Sequence, residues 1–269
     1  MGRAGCGGAV ALLVLACSRF DGEAAPAPGG EGDTAARADA GASPDGGGGG
    51  CASFGPTDFC EDFEDDAPLG FGWTEVATGT GTSVQYDTTT PASGRRGARA
   101  AVSAAAPTCS YAKLRREIAA PLKGARLTAA LRPVATPGAL THGTMNLRLG
   151  GKEEATGCNV ELVVVFGADG EVSGARIHVQ HLPEVTDRQL PLTRYPTTSR
   201  WSEVTFDVRS GATAAPELEV FVDGLPAFDA AQPLGECSFG TGIALELGLH
   251  CEDKPATLLF DDVRATFTR

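Results

Sequence analysis

Between Cys51 and Arg269 the chain is broken every 8 to 15 residues by Gly, Pro or Asp, and between the breaks apolar and polar residues alternate with a period of two. Such a period sends successive side chains to opposite faces of a strand, so this segment can bury a core only by packing sheets on their apolar faces. Met145, Leu147 and Leu149 alternate with Thr144, Asn146 and Arg148, and Ile243, Leu245, Leu247, Leu249 and Cys251 alternate with Ala244, Glu246, Gly248 and His250. Val160 to Phe166 is apolar almost throughout, the pattern of a strand covered on both faces. Asp169-Gly170 and Asp223-Gly224 are tight-turn signals, the first joining Val163–Phe166 to Glu171-Val172 and the second joining Leu218–Val222 to Leu225–Phe228. Only Tyr111 to Leu122 admits a helical reading, and Pro121 cuts it short. Roughly twelve to fourteen strands result, too many for an immunoglobulin-like sandwich and suited to two packed jelly-roll sheets. With no internal repeat, a propeller is excluded.

The N-terminal fifth is a different kind of sequence. Arg3 precedes a short apolar run from Ala9 to Cys17, too short to span a membrane, and no second run of that kind follows. Within it, Val14-Leu15-Ala16-Cys17 resembles the bacterial lipoprotein signal motif. That resemblance implies cleavage after residue 16, acylation of Cys17 and, with Ser18 next to it, sorting to the outer membrane of a Gram-negative envelope. Several acyl chains anchor a protein stably without a spanning helix. Residues 17–50 are dominated by Ala, Gly, Pro, Asp and Glu, hold Phe20 as their one large apolar residue, and end in five glycines. Such a stretch cannot offset its ordering entropy by burial and reads as a disordered tether. The expected organisation is a signal over 1–16, a lipidated tether over 17–50 and a β-sandwich domain over 51–269.

With Cys6 in the signal and Cys17 given to lipid, Cys51, Cys60, Cys109, Cys158, Cys237 and Cys251 remain. An even number in an exported chain predicts three disulfides, out of 15 connectivities. The expected pairing joins sequence neighbours: Cys51 with Cys60 around a Gly-Pro loop, Cys237 with Cys251 around one apolar run, and Cys109 with Cys158. Zinc is not expected, because no Cys-x-x-Cys pair occurs and the four histidines are not placed to complement one. The net charge of -12 repels phosphate backbones and excludes nucleic acid as a partner.

Three motifs carry a family resemblance. Phe59-Cys60-Glu61-Asp62-Phe63-Glu64 followed by Trp73 resembles the opening of concanavalin A-like and carbohydrate-binding jelly rolls. Trp201 to Val208 with Leu218 to Gly224 is similar to a strand pair of laminin G-like domains, and Leu258 to Val263 resembles their closing strand. The resemblance implies an all-β, two-sheet, concanavalin A-like jelly-roll sandwich, here stapled by disulfides. It also implies a structural calcium ion between Glu64 and Asp261. Asp261 should point inward, where a carboxylate needs either a cation or backbone hydrogen-bond donors.

For a ligand, the polar strand faces offer Trp201 as an aromatic platform, with Arg148, Arg176, His178 and Gln180, and with Glu246 beside His250. Leu114-Arg115-Arg116-Glu117 and Arg176-Ile177-His178 echo strands of alginate lyases, whose final Tyr-containing strand has no counterpart here. No Glu-x-Asp-x-Glu, Gly-x-Ser-x-Gly or His-Glu-x-x-His motif occurs. The expected function is a lipid-anchored envelope module that binds carbohydrate. The alternatives are an adhesion or structural lipoprotein with a protein partner, and a divergent glycanase or polysaccharide lyase.

Overall fold

The computed structural model describes residue 51 and residues 58–135, 141–150, 157–181, 186–210 and 215–269. The signal over 1–16, Cys17 and the tether lie outside the described residues. In chain order the strands are β1 (Phe59–Glu61), β2 (Glu75–Thr78), β3 (Thr82–Asp87), β4 (Gly97–Val102), β5 (Ser110–Ala119), β6 (Gly124–Pro133), β7 (Thr141–Leu149) and β8 (Cys158–Phe166). They continue as β9 (Val172–His181), β10 (Thr186–Pro191), β11 (Ser202–Ser210), β12 (Pro216–Val222), β13 (Leu225–Pro226), β14 (Gln232–Pro233), β15 (Gly242–Glu252) and β16 (Ala256–Thr268).

Two antiparallel sheets form. One has nine strands and runs β13-β12-β11-β6-β16-β4-β3, with β1 on β16 and β14 on β12; the other has seven and runs β10-β9-β8-β7-β15-β5-β2. The alternating apolar positions meet between them as predicted. Leu127, Leu131, Phe206 and Phe260 of the nine-stranded sheet join one core with Leu147, Leu162, Ile177 and Leu245 of the seven-stranded sheet, all of them closed to solvent. Asp169-Gly170 turns β8 into β9, and Asp223-Gly224 turns β12 into β13 with both residues at positive φ, as the tight hairpin requires.

Several expectations need correction. The segment read as a possible helix is β5, a ten-residue strand whose Ala112 and Leu114 face the core while Tyr111 and Lys113 face outward. Tertiary pairing on both edges, with β15 and β2, overrides its local helical character. The apolar register of β15 ends at a bulge between Leu249 and Glu252, which turns Cys251 outward and buries Glu252 against His142 instead.

Cys51–Cys60 is bonded as expected, but Cys109 pairs with Cys251 and Cys158 with Cys237, in place of Cys109–Cys158 and Cys237–Cys251. Sheet adjacency, not sequence distance, decides. Ser110 lies opposite Glu252 across β5 and β15, which brings Cys109 to Cys251. Cys158 opens β8 opposite Leu149, and the Gly150–Gly240 bridge draws the loop carrying Cys237 to the same end. The Cys109–Cys251 bond closes a span of 142 residues against 9 for Cys51–Cys60. Loop-closure entropy then predicts that Cys109→Ala with Cys251→Ala lowers the unfolding free energy by about 5 kcal/mol, and Cys51→Ala with Cys60→Ala by about 2.5 kcal/mol. Urea titration of the two variants checks the order.

Candidate functional site

Every strand of the seven-stranded sheet sends at least one polar side chain outward, and the register aligns them. Glu75 of β2 lies opposite Arg115 of β5, Arg115 opposite Glu246 of β15, and Glu246 opposite Asn146 of β7. The row continues through Glu161 of β8 and His178 of β9 to Gln189 of β10. A parallel row one step along holds Glu117, Ala244, Arg148, Asn159, Gln180 and Asp187. Four of the predicted ligand residues, Arg148, Arg176, His178 and Gln180, therefore share one face.

Trp201 does not join them. It precedes β11 in the nine-stranded sheet, is half-buried, and donates its indole N–H to Thr90 O at 3.1 Å.

At the centre of the first row sits Glu246, 4% exposed. Lys113 Nζ lies 2.8 Å from its Oε2, Arg115 Nη1 3.4 Å from Oε1, His250 Nδ1 3.5 Å from Oε2, and Asn146 Nδ2 donates to Oε2 at 3.4 Å. Burial pushes this carboxyl upward, but the Lys113 ammonium, through its charge and its hydrogen bond, and the Arg115 guanidinium outweigh it and hold it below the usual carboxylate range. Removing one member of a buried ion pair typically costs about 3–5 kcal/mol, so Glu246 organises the face as well as charging it. His250, withdrawn from water and beside Lys113, is pushed below the ordinary histidine value and stays neutral at neutral pH. Its Nδ1 also lies 3.9 Å from Glu161 Oε1.

Glu161 links the two histidines, its Oε2 being 3.8 Å from His178 Nδ1, while Asp187 contacts the other ring nitrogen of His178. The neighbouring Glu161 carboxylate is the main reason that His178 is raised above the ordinary value, against the opposing effect of burial. Among the described residues, Arg115 Nε, Asn146 Oδ1, Arg176 Nε and His250 Nε2 are buried atoms with no hydrogen-bond partner. Lys113, Asn146 and Glu161 carry no motif; an outward polar residue on a strand looks like solvated surface until its neighbours across the sheet are known.

Glu64 and Asp261 converge on one loop, residues 92–96. Glu64 accepts from the backbone N–H groups of Arg95 and Arg96, at 2.7 and 2.8 Å. Asp261, closed to solvent as predicted, accepts from Ala92 and Ser93 through one oxygen and from Asp262 through the other. Burial still pushes its pKa up to about 7.

No family model and no curated relative matches this sequence. Solved structures do match its fold. Endo-β-1,4-glucuronan lyase from the fungus Trichoderma reesei superposes with a TM-score of 0.56 at 9% identity, over 78% of this chain and 95% of that one. Cellulose induced protein Cip1 gives 0.55 at 15% identity, over 77% and 96%. A substituted alginate lyase Aly36B in complex with alginate trisaccharide gives 0.51 at 8% identity, over 80% and 99%. The chain is an all-β sandwich of the concanavalin A-like kind with three disulfides; at these identities the likeness extends to the fold alone.

The charge on His178 gives a pH test. A histidine raised in the folded state contributes stability that is complete below its unfolded pKa and is lost as pH rises through the folded one. His178→Gln should therefore lower the urea midpoint at about pH 5 and leave it near that of the unaltered protein at about pH 8. Equal losses at both would reduce His178 to a packing role.

Proposed function

We propose that the outer face of the seven-stranded sheet binds polysaccharide, and that the sugars it takes carry carboxylates. The observation that carries this reading is the polar row itself: ionic and amide side chains run across all seven strands, largely withdrawn from water at the centre, with hydrogen-bonding atoms left unused. Buried polar atoms without partners are costly, and a polar ligand laid along the row would satisfy them. Arg148 and Arg176 add positive charge to that of Lys113 and Arg115, which Glu246 engages, and a guanidinium matches a carboxylate through two parallel donors. Asn146, Asn159 and Gln180 can both donate to and accept from hydroxyls. Tyr111 is the one aromatic ring on the described part of this face, which leaves little stacking platform for neutral sugars. Seven strands at their usual spacing give a row of about 29 Å, long enough for several sugar units. Two structures of the same fold are named for lyases of uronate polymers, glucuronan and alginate.

In this reading the domain is carried at the outer membrane by lipid on Cys17 and the 17–50 tether. The adhesion alternative has less behind it, since the large apolar side chains exposed among the described residues, Phe71, Val76 and Leu225, are too few for an apolar docking patch. A lyase reading has one specific observation in its favour. His250 is neutral and its Nε2 is free, as suits a base that takes the proton beside a uronate carboxylate, and the Tyr111 hydroxyl on the neighbouring strand could protonate the leaving oxygen.

Affinity electrophoresis through gels holding neutral or uronate polysaccharides tests both. Retardation by uronate gels alone, lost in Arg148→Ala and kept in Trp201→Ala, is the expected result. Retardation by neutral gels, or its loss in Trp201→Ala, would overturn the assignment to this face. Ultraviolet absorbance from a 4,5-unsaturated uronate, abolished in His250→Gln, would make the module a lyase; binding without that product would leave it a binding module.

The calcium ion at Glu64 and Asp261 belongs to the same proposal. Excess chelator should lower the Tm and added calcium restore it. An unchanged Tm would leave the loop's own N–H groups as the whole of the anchorage.

A further inference from the structure

Outside the polar row, one cluster of metal-ligating atoms stands out among the described residues: the sulfurs of Cys158 and Cys237 and the ring nitrogen of His181, all within 4.8 Å of one another. Cys158 and His181 are directly opposite across β8 and β9, and Cys237 arrives from the loop before β15. His181 Nδ1 lies 3.4 Å from Cys158 Sγ and 3.9 Å from Cys237 Sγ. The loop passes close over the imidazole, for a Cβ built on Gly235 would come within 3.5 Å of His181 Cε1. Cys158 is 0% exposed and Cys237 4%, so the sulfurs already sit in the dry surroundings that favour thiolate–metal bonds over hydration.

We propose that Cys158, His181 and Cys237 form a zinc site when the disulfide is reduced, so that the same loop is held to the same sheet end by either a sulfur–sulfur bond or a metal. Two thiolates and a neutral imidazole are a zinc ligand set, and water completes the tetrahedron. The chemistry balances simply. A phosphine or dithiol reductant supplies two electrons that split the Sγ–Sγ bond, and solvent supplies two protons to make the thiols. Zinc then displaces both thiol protons to solvent, while His181 coordinates through Nδ1 with its own proton on Nε2. The other two disulfides have no histidine nitrogen grouped with their sulfurs among the described residues, which sets this pair apart.

The experiment uses the full chain reduced with a phosphine and titrated with zinc against a chromophoric chelator, then with cobalt(II) for its spectrum. Expected are about one tightly held zinc per chain, a cobalt spectrum with thiolate charge-transfer bands and intense tetrahedral transitions, and recovery by zinc of part of the Tm lost on reduction. His181→Ala should keep the Tm of the oxidised protein, which shows that it folds, while its zinc affinity falls at least about tenfold. Zinc binding that is equally tight in His181→Ala, or no zinc retained by the reduced protein, would overturn the site. Because these readouts involve no saccharide, their failure leaves the polysaccharide proposal standing, and the reverse also holds.

Discussion

Both sheets are completed by the last two strands of the chain. β15 lies between β7 and β5 in the seven-stranded sheet, and β16 lies between β6 and β4 in the nine-stranded one, so each is bonded on both edges by segments made more than ninety residues earlier. A short turn after Glu252 joins them and carries the chain from one sheet to the other. Until that C-terminal pair is in place, the seven-stranded sheet is two separate pieces, and the nine-stranded one is two pieces and a partnerless β1. The geometry of the polar row depends on this, because Glu246 and His250 are on β15 while Lys113, Arg115, Asn146 and Glu161 are on the strands it brings together.

The row is also where burial and charge conflict most. Glu246, Arg115 and Asn146 are nearly closed to solvent on a face that a solvated sheet would leave open. The carboxylate remains charged because cations reach it from β5 and an amide from β7, and His250 remains neutral because a second full charge in the same dry space would be unfavourable. Next to them, Glu161 and Asp187 hold His178 in the opposite condition, disposed to take a proton. Two imidazoles that share the Glu161 carboxylate are thus tuned apart by their surroundings, one by burial and the other by the carboxylates beside it.

Much of the fold is legible in the sequence because period-two alternation reports directly which side chains face the core. Met145, Leu147 and Leu149 and the alternating apolar residues of β15 from Ile243 to Leu249 are all buried as read. The two Asp-Gly turns are equally local and equally readable. What alternation cannot carry is register between distant strands. Cys109 and Cys251 meet because β5 pairs with β15, and no local feature of either segment encodes that partner. The bulge that exposes Cys251 and buries Glu252 breaks the very period the reading relies on. The site divides the same way: Arg148, Arg176, His178 and Gln180 are found from their outward positions, whereas Lys113, Asn146 and Glu161 gain significance only from the row. Trp201 looks like a platform in one dimension, and in three it belongs to the other sheet.

Two glycines beneath the row have a consequence for how such a face can diversify. A methyl group on Gly143 would collide with the Glu161 carboxylate, displacing it from both imidazoles at once. Gly248 holds a φ of +136° and lies so close to Ala112 that its backbone leaves no room for any side chain. The floor of the face is thus shaped by what these positions lack, and one of them can change while the other cannot. Drift at position 143 would rewire the ionic pattern without disturbing the sandwich, whereas position 248 ties the strand pairing of β15 to glycine, so selectivity has a route to evolve that stability does not share.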